Sequence, residues 1–295
     1  MEHGGNVFHR HLCDHPSLYT YPFESQLGTK FSHNLLSPIY PYRYFWPEFP
    51  ESTTPEKAYD LMWDEELKCL LRARDRSKFK DCGLIMDEKE RISDFVRYCY
   101  GKPLIRKTFI EAYFISTFKS WTNYNKSGGE RFYVGYNPGM TANTDLILKD
   151  FPDSNIIHII RNPFSAYSDY LKRPYPNQSL EEYCSAYNVI HQLAYNYSRK
   201  YPNNFHILKI EDFLANKRAS LTPILDKISI PWSDTLLYPS FNGKKLDSCK
   251  PWGTIVTPTT DVNLATAKEL NQKQINGIGF ECGLMLKTFY PNLSF

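Results

Sequence analysis

An arginine at the end of an apolar strand, with a helix starting at once behind it, is an arrangement suited to holding an anion. Arg161 stands at such a point, inside Asn155–Tyr170, NIIHIIRNPFSAYSDY. Ile156, Ile157, Ile159 and Ile160 make a short β-branched run, which reads as a strand buried on both faces in a parallel sheet. Pro163 stops the ladder and fixes the turn. A helix is expected to begin near Ser165–Ser168 and to run into Leu171-Lys172-Arg173. The guanidinium would supply a fork of donors, and the helix start would add free N–H groups and the positive end of its dipole. The plainer alternative is a surface arginine that caps local carbonyls. Far upstream, Gly4-Gly5 followed by Val7, Phe8 and Leu12 reads as a glycine turn opening a helix, which presents backbone N–H groups to a phosphate. Its alternative is a chain terminus without fixed structure.

Arg161-Asn162-Pro163 followed by Ser168-Asp169-Tyr170 resembles the 3′-phosphate-binding segment of sulfotransferases that use 3′-phosphoadenosine 5′-phosphosulfate (PAPS). In that family a strand ends in Arg-(Asn/Asp)-Pro, and a serine about eight residues after the arginine sits on the next helix. Here Ser168 is seven residues after Arg161, so either the turn is shorter or Ser165 shares the role. Glu2-His3-Gly4-Gly5-Asn6-Val7 is similar to the bacterial form of the family's phosphate loop, Glu-His-Ser-Gly-Thr-Thr. The resemblance implies that His3 stands beside the transferring sulfuryl group, and that Gly4, Gly5, Asn6 and Val7 surround the 5′-phosphate. Asn6 and Val7 replace the two hydroxyl residues of that loop.

Three more segments extend the resemblance. Heparan-type members carry His-Pro after the first helix and a general-base glutamate about eight residues beyond; here His15-Pro16 is followed, eight residues on, by Glu24. A lone Glu in a Tyr/Pro-rich loop can also be simply solvated. Arg131–Met140, RFYVGYNPGM, aligns with the family's Lys-(Ser/Thr)-Pro segment, with Tyr136 at the lysine position. Trp252, Gly253 and Thr254 stand where the family folds a C-terminal loop over the 3′-phosphate. There Trp could stack on a purine and Gly would let the backbone approach closely. The family also places a buried strand before its phosphate loop. This chain starts inside the loop, so that first strand is expected to be missing or truncated.

The elements that must position these residues follow from periodicity. Ser37–Pro55, dense in Pro, Tyr, Phe and Trp, reads as an ordered loop packed near an acceptor pocket or simply on the core. Pro55–Tyr100 has helical spacing, with Tyr59, Met62, Trp63, Leu67, Leu70 and Leu71 on one side, and Lys89–Tyr100 is a second amphipathic piece. Arg131–Met140 is a strand entering a loop, Thr144–Phe151 a helix, Leu180–Tyr201 a helix, and Asn204–Glu211 a strand with Asp212 as a cap. A final helix over Asn263–Leu286 is expected to break around Gly277 and Gly279. The sum is one α/β domain over 1–295, a central parallel sheet flanked by helices with a P-loop-like sulfotransferase fold, and a helical and aromatic cover at about 37–125.

Composition narrows the function classes. Hydrophobic residues make up 42% and charged residues 23% of 295, an ordinary globular profile. A net charge of +3 without a dense Lys/Arg run argues against nucleic acid. The seven cysteines are scattered, with no C-x-x-C pair, which argues against zinc and redox motifs and for reduced thiols in the cytoplasm. No apolar run is long enough to span a membrane, and the first residues lack the apolar core of a signal peptide. The expectation is a PAPS-dependent enzyme without a metal, moving a sulfuryl group to a hydroxyl or amine of a small-molecule acceptor, in the style of bacterial tailoring enzymes of secondary metabolism. Two alternatives remain. A P-loop kinase would need Lys-Ser/Thr after the glycines, which Gly4-Gly5 lacks. A catalytically impaired nucleotide-binding protein on the same fold would explain the changes at Asn6, Val7 and Tyr136.

Overall fold

In a computed structural model, residues 4–30, 42–173, 176–246 and 265–293 are described. In chain order the helices are α1 Gly5–Leu12, α2 Pro55–Leu61, α3 Glu65–Arg72, α4 Glu88–Cys99, α5 Arg106–Ser120, α6 Thr144–Asp150, α7 Pro163–Leu171, α8 Leu180–Lys200, α9 Ile210–Ala215, α10 Lys217–Lys227, α11 Gln272–Glu281 and α12 Gly283–Phe289. The strands are β1 Leu18–Thr20, β2 Phe132–Val134, β3 Ile156–Ile160, β4 Phe205–Lys209, β5 Ser240–Phe241 and β6 Lys244–Lys245. The expected α/β class holds. Parallel pairing also holds, but among the described residues it is divided into two pairs, β1 with β2 and β3 with β4; β5 and β6 pair antiparallel. The chain forms two compact units, with the first residues and 155–237 and 247–295 in one, and 9–154 and 238–246 in the other.

In the unit holding β3 and β4, the strands run in register from Ile156 beside Phe205 to Ile160 beside Lys209. Ile156, Ile157 and Ile159 are half-buried rather than fully buried. Among the described residues β3 has one strand neighbour, which leaves its apolar faces less covered than a central strand's. Helix α7 starts at Pro163, two residues earlier than expected, because the Asn162 side chain accepts the Ser165 N–H and proline suits the first helical position. Helix α8 begins in a capping box of Ser179 and Glu182. A core of Phe164, Tyr167, Tyr170, Tyr183, Tyr187, Ile278, Cys282 and Met285 joins α7, α8, α11 and α12. Gly277 and Gly279 do not break the last helical segment; they lie inside α11, and the break falls at Cys282. A Cβ at Gly277 would sit 2.5 Å from Leu180 Cδ2, so the glycine serves the packing of α11 on α8. Asp212 lies within the first turn of α9 and pairs with Lys209 at 3.5 Å instead of capping it.

In the other unit, α2 to α5 fall within 37–125, and α4 and α5 pack together. Its centre is polar. Arg91 and Asp64, both fully buried, pair at 2.5 Å. Tyr21 and Tyr113 hydroxyls donate to the other Asp64 oxygen at 2.6 and 3.0 Å. Burial opposes charge on Arg91, yet Asp64 and the ring of tyrosines hold its pKa well above an ordinary arginine's. Around this centre, Phe95, Phe109, Leu67, Leu70 and Met62 fill the core.

Candidate functional site

Arg161 ends β3 with its guanidinium 4% exposed. Its backbone is fixed first: the Tyr187 hydroxyl donates to its carbonyl at 2.9 Å. The next residue, Asn162, donates from both its backbone and its side chain to Glu211 Oε1, at 2.9 and 2.8 Å. Tyr290 donates to the other oxygen of Glu211 at 3.0 Å. The side chain is then aimed by Asp169, whose Oδ2 accepts from Nη1 at 2.6 Å, and by Thr266, whose Oγ1 lies 3.3 Å from Nη2. Ser165 and Ser168, the two candidate serines, both lie on α7. Ser165 is wholly buried and its N–H is taken by the Asn162 cap. Ser168 donates to Glu269 Oε2 at 3.3 Å. Lys172 Nζ reaches the same Glu269 oxygen at 2.7 Å and Asp169 Oδ1 at 3.4 Å. Partial burial works against the Lys172 charge, but the Glu269 hydrogen bond and Asp169 outweigh it and raise its pKa.

The same unit holds the start of α1. Gly4 has φ +80°, and a Cβ there would meet Ile210 Cγ1 at 2.7 Å. Both facts require glycine at this turn. Helix α1 then opens at Gly5 with no acidic residue in its first turn, and the N–H groups of Gly5, Asn6 and Val7 precede the first helical bond, from Phe8 N–H to Gly4 O at 3.0 Å. Val7 is buried and Asn6 half-buried. His3, Trp252, Gly253 and Thr254 lie outside the described residues.

Glu24 belongs to the other unit. Its segment runs beside β2: Tyr21 N–H donates to Val134 O at 2.8 Å and Ser25 N–H to Tyr136 O at 2.7 Å. Phe23 stacks on Phe79 with centroids 4.1 Å apart, and Ser25 and Gln26 are buried. Glu24 is therefore clamped on both sides and is not a solvated loop residue. The Tyr44 hydroxyl donates to Glu24 Oε2 at 2.8 Å. The Glu24 N–H donates to Glu66 Oε2 at 3.1 Å. Burial, followed by the nearby Glu66 charge, pushes the Glu24 carboxyl above the usual range, while the Tyr44 hydrogen bond and Lys78 pull the other way. Tyr136, at the family's lysine position, has a structural role: its ring stacks on His9 with centroids 5.3 Å apart.

The sequence reading missed Asp169, Lys172, Thr266 and Glu269 around the arginine, and Tyr44 and Glu66 around the glutamate. Asp169 stood inside the quoted Ser-Asp-Tyr. Lys172 stood in the quoted Leu171-Lys172-Arg173, while the others had no local signal tying them to the site, since Glu269 lies far along the chain from Ser168.

The chain matches the sulfotransferase family over residues 28–234 and belongs to it. Arg161, Ser165 and Ser168 fall inside the matched region; Gly4 to Val7 and Glu24 precede it. No curated protein matches the chain. Two solved structures share the fold. The sulfotransferase domain from the Synechococcus PCC 7002 olefin synthase aligns at TM-score 0.59 and 16% identity, over 99% of this chain and 92% of that one. The sulfotransferase domain from the curacin biosynthetic pathway aligns at TM-score 0.51 and 12% identity, over 96% and 93%.

Proposed function

We propose that this sulfotransferase takes its sulfuryl group from PAPS and delivers it to a hydroxyl or amine of a small-molecule acceptor. The observation that carries the reading is Arg161, a buried guanidinium fixed at the end of β3 and the start of α7, with Ser168 and Lys172 about two and three helical turns further on. Guanidinium, hydroxyl and ammonium are the donor set for a phosphate dianion, and this set fits the nucleotide's 3′-phosphate. Gly4, Gly5, Asn6 and Val7, as a glycine turn and helix start, suit the 5′-phosphate. His3 would offset charge on the bridging oxygen of the leaving nucleotide, and Trp252, Gly253 and Thr254 would cover the adenosine. Glu24 takes the acceptor proton. Its half-buried carboxyl, whose pKa burial and the nearby Glu66 charge raise, is a stronger base than a free glutamate.

With PAPS bound, the group in transfer moves in line to the acceptor, and the chain contributes mainly orientation and charge stabilisation. A tailoring role in biosynthesis is supported by the origin of the two fold relatives, an olefin synthase and the curacin biosynthetic pathway. The testing experiment pairs calorimetry with labelled transfer. 3′-Phosphoadenosine 5′-phosphate should bind, its 3′-dephosphorylated counterpart should bind much more weakly, and ³⁵S should pass from PAPS to a member of an acceptor panel. Binding without transfer across hydroxyl and amine acceptors would favour a nucleotide-binding protein on the same fold. Equal binding of both nucleotides would overturn the assignment of the 3′-phosphate site.

A further inference from the structure

Glu24 is gripped at two points by residues from different elements. Tyr44, in the single helical turn Tyr42–Tyr44, meets its carboxylate, and Glu66, in the first turn of α3, meets its backbone N–H. We infer that Tyr44 and Glu66 are positioning residues for the reaction, together fixing Glu24 as its proton acceptor; this rests on the assignment of Glu24 as base.

The argument is one of geometry and charge. Tyr44 donates at 2.8 Å, a normal length for a hydroxyl to an ionised oxygen. A donor there fixes the carboxylate plane and favours its charged form. Arg43 lies over the Tyr44 ring, 5.0 Å from its centroid, and pairs with Glu65 at 2.8 Å, so the tyrosine is itself held. Glu66 acts in the opposite sense. One of its oxygens accepts the Glu24 N–H and the other pairs with Lys78 at 2.6 Å. Its negative charge disfavours a second charge on Glu24, and Lys78 limits that effect. Gln26 is a further polar neighbour: its hydrogen bond favours the charged form of the Glu24 carboxyl, and its carbonyl oxygen Oε1 accepts the Glu65 N–H at 2.8 Å, tying the segment to the start of α3. Among the described residues, the charged and titratable groups facing Glu24 are thus Tyr44 with Arg43 behind it, and Glu66 with Lys78 beside it. A base held between a donor and a like charge can be tuned toward the working pH without moving it.

The test is the pH profile of labelled transfer from PAPS in Tyr44→Phe, Glu66→Gln and the double variant, together with the NMR titration of the Glu24 side-chain carboxyl in the full chain. Glu66→Gln keeps an oxygen for the Glu24 N–H and removes the charge, so the acid limb should move to lower pH. Tyr44→Phe removes the donor, so the limb should move to higher pH. The double variant should lie between them, with KM for PAPS unchanged within about 2-fold in all three. Melting temperatures would reveal a merely structural role, which lowers stability without moving the limb. If wild-type protein transfers sulfuryl but neither variant shifts the limb, the inference fails and the function stands. If no transfer occurs, the NMR titration decides: the carboxyl must still move in opposite directions in the two single variants, and a carboxyl that does not move overturns the inference.

Discussion

Arg161 and Asp169 form a buried ion pair, 2.6 Å from Nη1 to Oδ2, with 4% and 11% of the two side chains exposed. Asp169 is two turns along the helix that begins behind the arginine, so helical geometry returns its carboxylate over the end of β3. The guanidinium is held in one orientation, with Nη2 turned to Thr266. Arg161→Ala should weaken binding of a 3′-phosphorylated nucleotide by about 2–4 kcal/mol and leave its 3′-dephosphorylated form nearly unaffected. Calorimetry with both nucleotides checks this, and equal losses would remove Arg161 from the 3′-phosphate.

Glu269 holds the Ser168 hydroxyl and the Lys172 ammonium, the two donors assigned with Arg161 to that phosphate. A phosphate must take them from it. Because Glu269 is about half exposed, its pairing is weak and its removal should help rather than harm. Glu269→Gln should tighten 3′-phosphorylated nucleotide about 2–5-fold, with no change for the dephosphorylated form. Weaker binding would mean that Glu269 positions the two donors and does not compete for them.

Asp64 accepts from Arg91, Tyr21 and Tyr113 at one buried point. Asp64→Asn leaves the Arg91 charge without its counter-ion in a place closed to water. Urea denaturation should show a loss of about 3–5 kcal/mol. A loss under about 1 kcal/mol would show that the Tyr21, Tyr59 and Thr117 hydroxyls, which also accept from Arg91, can satisfy it without the carboxylate.

His158, on β3, lies 2.9 Å from His191 Nδ1 through its Nε2, and burial drops its pKa from the ordinary 6.5 to about 4. A folded-state pKa below the unfolded one means that, between those two values, the unfolded chain binds a proton which the folded chain refuses. Stability is therefore lost as pH falls from about 6.5 towards 4, by up to about 3 kcal/mol from this residue. His158→Gln should show a shallower decline between about pH 7 and about pH 4.5. Parallel stability curves for the two proteins would contradict this origin of the acid sensitivity.

The parts of the fold legible in the sequence are those with a strong local period. The isoleucine run gives β3, Asn162-Pro163 gives the turn and cap of α7, and the apolar face from Tyr183 to Tyr197 gives α8. What escaped is set by contacts distant in sequence. Gly277 looks like a helix breaker until Leu180 is seen against it, and the β3 isoleucines look fully buried until the strand proves to have one described neighbour. The candidate site divides the same way. Arg161, Ser168 and Glu24 could be found from motif and spacing. Their working partners could not: Tyr44 and Glu66 come from an aromatic loop and a helix start, and Glu269 from the far end of the chain, and none has a spacing rule connecting it to its partner.

Transfer of ³⁵S from PAPS by wild type and Glu24→Gln, with the nucleotide Kd measured in both, tests the central claim most directly. Glutamine keeps the shape of the side chain and removes its basicity. Wild type should pass label to an acceptor hydroxyl or amine, and Glu24→Gln should bind nucleotide equally well while turning over about 10²–10⁴-fold more slowly. A wild-type protein that binds PAPS yet passes label to no acceptor, or a Glu24→Gln variant that works at the normal rate, would contradict the account.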